Sequence, residues 1–493
     1  MNQNVLAILI IGAYMFIPLW IGALAGEREL NTPEDFFVQS RAMGSVAVFF
    51  TVEATWWSAF AFLGSNASFY SNGPVYWTTI AWDFLFGILF YVIGKRIWLY
   101  GKIHGCITPS DFFRDIYGSE KLGNLITFTM LLFTLPYLQI QLTGGAYLIQ
   151  VASKGLIPWE MGGLIFCVVI VIYVWTGGLR AVAWADIFYE ILMLFGIISA
   201  GFFIVSEVGG ISTLFGTLKK VAPEALTLPG PTGNAGPMLW ISMFLLVPMG
   251  AIMGPQLWTR MYAVNSPRFF DLMPFLLGFT ALINISPMLI GNAGIILVPG
   301  LEKADMLLPV ILFKYAPFAL ASLILAGAAS AAMSTSNSQI HSISAVYAID
   351  IHKKYINKNI DDASLIHIGR WAILAFASCS YLLSVLFPGL LIQIGLIALS
   401  GTAQVIVPTL GALFWRRSTH QGAIWGLLTG IIILTVLSLT SVFHFTFVDI
   451  YPGLIALFAN SVIFVVVSLL TPPKEKYLLD KYDHFTTSFE RIL

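Results

Sequence analysis

The chain has 493 residues, of which 58% are hydrophobic and only 10% charged. Soluble domains run near 25% charged, so a chain of this length could not cover a water-facing surface with so few charges. Lys and Arg balance Asp and Glu at 25 each, which excludes the basic footprint of a nucleic-acid binder, and Cys106, Cys167 and Cys379 have neither zinc spacing nor a disulfide framework.

A bilayer core needs about 20 mostly apolar residues per helix. Thirteen such runs follow one another, at roughly 4–25, 43–71, 74–94, 122–152, 159–176, 181–206, 236–262, 271–299, 306–346, 367–387, 390–414, 421–441 and 450–471. The sequence therefore predicts an all-α integral membrane protein of about 13 transmembrane helices. The first run lacks a basic start and a small-residue cleavage site, so it reads as an anchor. With the N-terminus outside, the inner connections hold 20 of the 25 Lys and Arg residues and the outer ones only Lys154, Lys219, Lys220, Lys303 and Lys314. Positive charge collects on the inside, so the C-terminus is predicted to be cytoplasmic, in the cell membrane. The longest polar connections are about 95–121, 207–235 and 347–366, and a short tail covers 473–493.

The second run, 43–71, carries Glu53 at mid-depth, followed by Ala54, Thr55, Trp56, Trp57 and Ser58. The seventh run, 236–262, carries Pro248, Gly250, Gly254 and Pro255. Proline removes a helix hydrogen bond and clashes with the preceding turn. Freed backbone groups at membrane depth survive only inside protein or beside water. Two interrupted spans five apart run in opposite directions, and such a pair points to an inverted-repeat transporter with its site at mid-depth. A proline kink without function is the plain alternative.

In the ninth run, Ser330, Ser334, Ser338 and Ser342 recur every four residues and share one helix face, with Thr335 and Asn337 beside it. Ala328, Ala329, Ala331 and Ala332 let another backbone approach closely. Hydroxyls and freed carbonyls are oxygen ligands for a hard cation such as sodium. The same hydroxyls could instead bond back to their own i−4 carbonyls. Intramembrane acids are rare and usually functional. Here they are Glu53, Asp83, Asp186 and Glu190. Asp186 could simply pair with Arg180. Glu53 has no Lys or Arg near it in sequence, so it needs a cationic or amine-bearing solute, a metal cation or a proton.

Five stretches, SRAMGSVAVFF, TGGLRAVAWAD, QLWTRMYAVNSPR, AAMSTSNSQIHS and PTLGALFWRRSTHQGAIWGLLTG, occur in this order. In these the chain resembles the sodium/solute symporter family, which includes bacterial proline and pantothenate symporters and animal sodium/glucose cotransporters. The resemblance implies a leucine-transporter-type core of two inverted five-helix repeats, here about 43–206 and 236–414, within one domain, 1–493. The helices at about 4–25, 421–441 and 450–471 would be peripheral. It implies a sodium ion held by the carbonyls of Ala54, Trp57 and Ala331 and the hydroxyls of Ser334 and Thr335. Some members hold a second sodium, and the matching positions are Asp186, Ser334, Asn337 and Ser338, with Asn337 where a hydroxyl is expected. Where the proline symporter pattern has an aspartate, this chain has Trp56 and carries its acid at Glu53 instead. The stretch from LPYLQIQLTGGAYLIQ onward is more like the pantothenate-type branch.

The expected function is a sodium-coupled symporter, not an enzyme, importing a small organic solute by alternating access. A proton-coupled carrier using Glu53 or Asp186, and a non-transporting sensor or channel-like relative, are the rival readings. The solute is expected between spans 2, 3, 7 and 11. Candidate wall residues are Glu53, Trp57, Phe60, Tyr76, Asp83, Met249, Gln256, Gln393 and Gln404. An amine-bearing or zwitterionic solute fits an ionised Glu53, and a monocarboxylate requires Glu53 to be protonated.

Overall fold

The computed structural model describes residues 32–233, 236–441 and 450–491, with Gly12, Ile17 and Trp20 singly. Apart from those three residues, the first predicted run, 4–25, lies outside the described residues. Everything else is helix and connection, and the one β-bridge among the described residues joins Met43 to Val264. The helices, in chain order, are α1 (Pro33–Val38), α2 (Ser45–Trp56), α3 (Ser65–Asn72), α4 (Thr78–Leu89), α5 (Lys95–His104), α6 (Pro109–Tyr117) and α7 (Glu120–Ala152). Then come α8 (Trp159–Glu207), α9 (Ile211–Val221), α10 (Pro237–Met253), α11 (Pro255–Ala263), α12 (Arg268–Thr280), α13 (Ile285–Leu297) and α14 (Leu307–Tyr315). The last are α15 (Phe318–Ala345), α16 (Asp362–Leu386), α17 (Leu391–Ala403), α18 (Ile406–Phe414), α19 (His420–Ser441), α20 (Pro452–Leu470) and α21 (Lys476–Glu490).

Among the described residues nine helical stretches are long and apolar enough to cross a membrane, or ten if α10 and α11 count as one bent span. The thirteen predicted runs are thus not thirteen separate full-length helices. Run 43–71 is interrupted, and its second part is nearly continuous with the next, over Phe60–His104. Runs 159–176 and 181–206 lie in α8, which is broken at Gly178, where φ is 58°. A side chain there would be strained, and a Cβ would also sit 3.1 Å from the Phe36 ring. The polar connections are partly helical, as α5, α6 and α9, and the tail forms α21.

Two features position the interior. First, α15 lies against α8 closely enough that a Cβ on Gly327 would be 2.8 Å from the Leu192 carbonyl oxygen. Small residues let helices approach in this way without a hydrophobic driving force. All of the polar residues from Ser330 to Ser344 on α15 are buried. Second, both predicted interruptions are real. α2 ends at Trp56, and Trp57 leaves the helical region with φ −75° and ψ 88°. α10 ends at Gly254, with ψ 139°, and α11 sets off at 57° to it. The bridge ties the two together: Met43 N donates to Ala263 O at 2.9 Å and Asn265 N to Met43 O at 3.0 Å.

Candidate functional site

Helix ends leave backbone carbonyls and amides without intrahelical partners. At the end of α2 these are met by side chains from three other helices. Thr335 on α15 donates to the Thr55 carbonyl at 3.1 Å, and Gln141 on α7 accepts from the Ala59 amide at 2.9 Å. Arg260 on α11 donates through Nε to the Thr51 carbonyl at 3.2 Å. The Thr55 hydroxyl stands 3.1 Å from that of Ser338. Ala54, Trp57, Ala331, Ser334 and Thr335 are all buried at this junction of α2 and α15. The groups on offer are hydroxyls and carbonyls, neutral oxygen donors that suit a hard monovalent cation.

Beside it lies a charged cluster. Asp186 on α8 accepts from Ser334 Oγ at 2.6 Å, from Thr51 Oγ1, and from Arg260 Nη2 at 3.3 Å. Arg260 Nη2 also donates to Ser338 Oγ, and Nη1 to the Gln256 carbonyl at 2.9 Å. Asp186 and Arg260 are both fully buried. Three of the residues expected to hold a second sodium, Asp186, Ser334 and Ser338, therefore do meet, and a guanidinium spans them. Asn337 is buried but outside this hydrogen-bonded group. In the sequence Arg260 is only one of the 20 Lys and Arg residues counted on the inner side. Its signal was its place inside the apolar run 236–262.

A cavity of about 10 Å3, the room of one water, opens on the other side of the α2 break. Three of the candidate wall residues, Trp57, Phe60 and Asp83, line it, together with Trp56, Trp82, Tyr137, Val247, Asn284 and Leu399. Asp83 accepts from Trp56 Nε1 and, at 2.8 Å, from Asn284 Nδ2. Thr79 Oγ1 donates to Asn284 Oδ1 at 2.8 Å. The cavity lies among the four spans anticipated, with spans 4 and 8 added through Tyr137 and Asn284.

The other expected wall residues lie elsewhere. Tyr76 is behind Trp82, ring edge to face at 5.2 Å, and is bonded to Ser65 at 3.2 Å. Met249 is half-buried outside the lining. Gln256 lines a separate small space with Phe133 and Thr402. Gln393 is exposed, because helix phase turns it outward from α17. Gln404 is tied to α20, donating to the Gly453 carbonyl at 3.3 Å and accepting from Asn460 at 3.2 Å. Glu53 does not reach the cavity. Its Oε1 accepts from Thr280 on α12 at 2.5 Å. Among the described residues no three His, Cys, Asp or Glu side chains gather into a metal cluster.

The sodium:solute symporter family model matches residues 36–430. The uncharacterized symporter YodF of Bacillus subtilis (strain 168) is 25% identical over 486 residues, 95% of this chain and 94% of that protein. The sodium/pantothenate symporter of Escherichia coli (strain K12) is 26% identical over 454 residues, 90% of this chain and 92% of its own length. The structure of a sodium-coupled sialic acid symporter in its substrate-bound outward-open state superposes with a TM-score of 0.80 at 19% identity, covering 96% of this chain and 99% of that one. That likeness establishes the fold as the one used by such transporters. The chain therefore belongs to the sodium:solute symporter family, as a multi-pass membrane transporter coupled to sodium and not an enzyme.

Proposed function

We propose that this symporter imports a small organic solute with one sodium ion by alternating access, the ion resting between the end of α2 and the hydroxyl face of α15. The carbonyls of Ala54, Trp57 and Ala331 and the hydroxyls of Ser334 and Thr335 are its ligands in this reading. The observation that carries it is the Thr335 hydroxyl, which reaches across to the Thr55 carbonyl at 3.1 Å. A small cation inserted there would draw on both helices at once. Its entry would hold α2 against α15, and its release inside would let them part. One ion is proposed because Arg260 supplies a resident positive charge among Asp186, Ser334 and Ser338. Thirteen spans, a cytoplasmic C-terminus and inverted repeats at 43–206 and 236–414 complete the reading. Each sodium charge moved across 100 mV contributes about 2.3 kcal/mol.

Relatives carry pantothenate and sialic acid, and the solute of this chain does not follow from theirs. Sodium activation of solute uptake in proteoliposomes tests the ion site. Thr335→Ala removes one of about five oxygens from a buried site, where an unmet polar group costs roughly 1–3 kcal/mol. Apparent sodium affinity should fall about tenfold, since each 1.4 kcal/mol is a factor of ten. An unchanged activation curve would overturn the assignment.

A further inference from the structure

We infer that the solute carries a positively charged nitrogen, held in the cavity between Asp83 and the aromatic rings of Trp56, Trp57, Phe60, Trp82 and Tyr137. This rests on the transport reading above and adds the chemical class of the solute.

Asp83 is 1% exposed, and no Lys, Arg or His lines the cavity with it. Its two hydrogen-bonding neighbours there are both donors, Trp56 Nε1 to Oδ1 and Asn284 Nδ2 to Oδ2. The Asn284 amide is oriented by the Ala281 carbonyl, to which its nitrogen also donates at 3.3 Å, and in that orientation Thr79 donates to its oxygen. A protonated carboxyl would need an acceptor, and neither of these neighbours is one. The arrangement suits a carboxylate, which accepts about four hydrogen bonds and so keeps room for two more. Indole and amide donors orient that charge but do not neutralise it, and a buried carboxylate needs a countercharge.

The rest of the wall supplies ring faces. An aromatic face attracts a cation through its quadrupole, and cages of such rings are a general means of recognising ammonium groups. Phe60 and Trp82 lie nearly parallel with centroids 6.1 Å apart, and Trp56 is braced from behind by Phe86 at 4.4 Å. Sodium is less suited to this place, since it wants a full shell of oxygens, and beside Asp83 the wall offers only those of Thr79, Asn284 and the Tyr137 hydroxyl among ring faces. An ammonium group is about the size of the water the cavity would admit. A monocarboxylate without a cationic nitrogen would face Asp83 directly. The buried indole N–H groups of Trp57 and Trp82 have no acceptor among the described residues, which leaves two donors for a hydroxyl or carboxylate elsewhere on the solute.

The test is thermal stabilisation of the purified full-length protein, with and without sodium, by ethanolamine, choline and glycine, set against lactate, pantothenate and glucose. Ethanolamine is also compared with ethylene glycol, which has nearly its shape without its charge. At least one amine should stabilise in sodium. Ethanolamine should bind about tenfold more tightly than its neutral isostere. Asp83→Asn should weaken amine binding about tenfold while keeping the shift caused by sodium alone. The inference is overturned if only the anions or glucose stabilise, if no amine does, or if Asp83→Asn binds the amine unchanged. The isostere comparison needs no variant, so it decides the matter even if Asp83→Asn does not fold. Amine binding that ignores sodium would count against the coupling reading and leave the cationic solute standing. Sodium-dependent stabilisation by lactate alone would do the reverse.

Discussion

The two broken spans solve one problem in different ways. At the second break the chain provides for itself. Gly254 N bonds back to the Ala251 carbonyl at 2.9 Å, and the amides of Leu257 and Trp258 bond to the Gly254 carbonyl at 3.0 and 3.3 Å. Pro255 begins α11, where no amide is needed. At the first break no proline interrupts the chain; Trp57 N still bonds back to the Glu53 carbonyl at 2.8 Å, but the Thr55 carbonyl and the Ala59 amide are met by Thr335 and Gln141 from other helices. A bend set by local sequence persists whatever surrounds it. A bend completed by neighbours exists only while they are in place, so an ion can become one of those neighbours. That asymmetry is the reason to look for sodium at α2 and for a fixed pivot between α10 and α11.

The comparison breaks most visibly at Arg260. Arg260→Met removes the group that joins α2, α8, α11 and α15 and leaves Asp186 buried without its countercharge. Removing one partner of a buried pair costs about 3–5 kcal/mol. Thermal unfolding of the variant in detergent should show a loss of that order, and added sodium should recover part of it because Asp186, Ser334 and Ser338 become free to receive a cation. A loss below about 1 kcal/mol would mean that the junction is not held by charge.

A smaller effect is expected at Gln141. Gln141→Leu strands the Ala59 amide, at a cost of roughly 1–3 kcal/mol for an unmet buried donor. Because the amide belongs to the break itself, apparent sodium affinity should fall along with stability. Lost stability with an unaltered sodium activation curve would show that the first break does not shape the ion site.

What could be read from sequence follows the same division. Gly254 and Pro255 announce their break because its cause is local. The serines of α15 announce a polar face because a period of four is visible along the chain, whereas Asp186 beside Ser334 was implied only by the family resemblance. Trp57 and Phe60 were within reach because they lie at a break, and Asp83 because an acid inside an apolar run stands out. Gln141 and Asn284 gave no signal, since each acts on a residue more than 80 positions away. Arg260 was counted with the inner charges because a charge at the end of an apolar run ordinarily marks a loop. Gln393 and Gln404 were guessed by depth, and depth does not give helix phase: one faces outward, and the other locks α17 to α20.

The mildest test is at Pro255. If the second break is held by its own backbone, Pro255→Ala should leave the bend in place. Ala is compatible with the first position of a helix, where the amide has no intrahelical partner in any case. The substitution then acts mainly by loosening the unfolded chain, worth about 0.4–1 kcal/mol. The expected result is a small fall in melting temperature with sodium activation and solute affinity unchanged. A tenfold loss of sodium affinity in Pro255→Ala, matching that in Thr335→Ala, would abolish the distinction between the two breaks. The bridge from Met43 to Val264 would then be the connection to examine, since it joins the entry to α2 directly to the exit from α11. A change at the pivot has no other backbone route to the ion junction among the described residues.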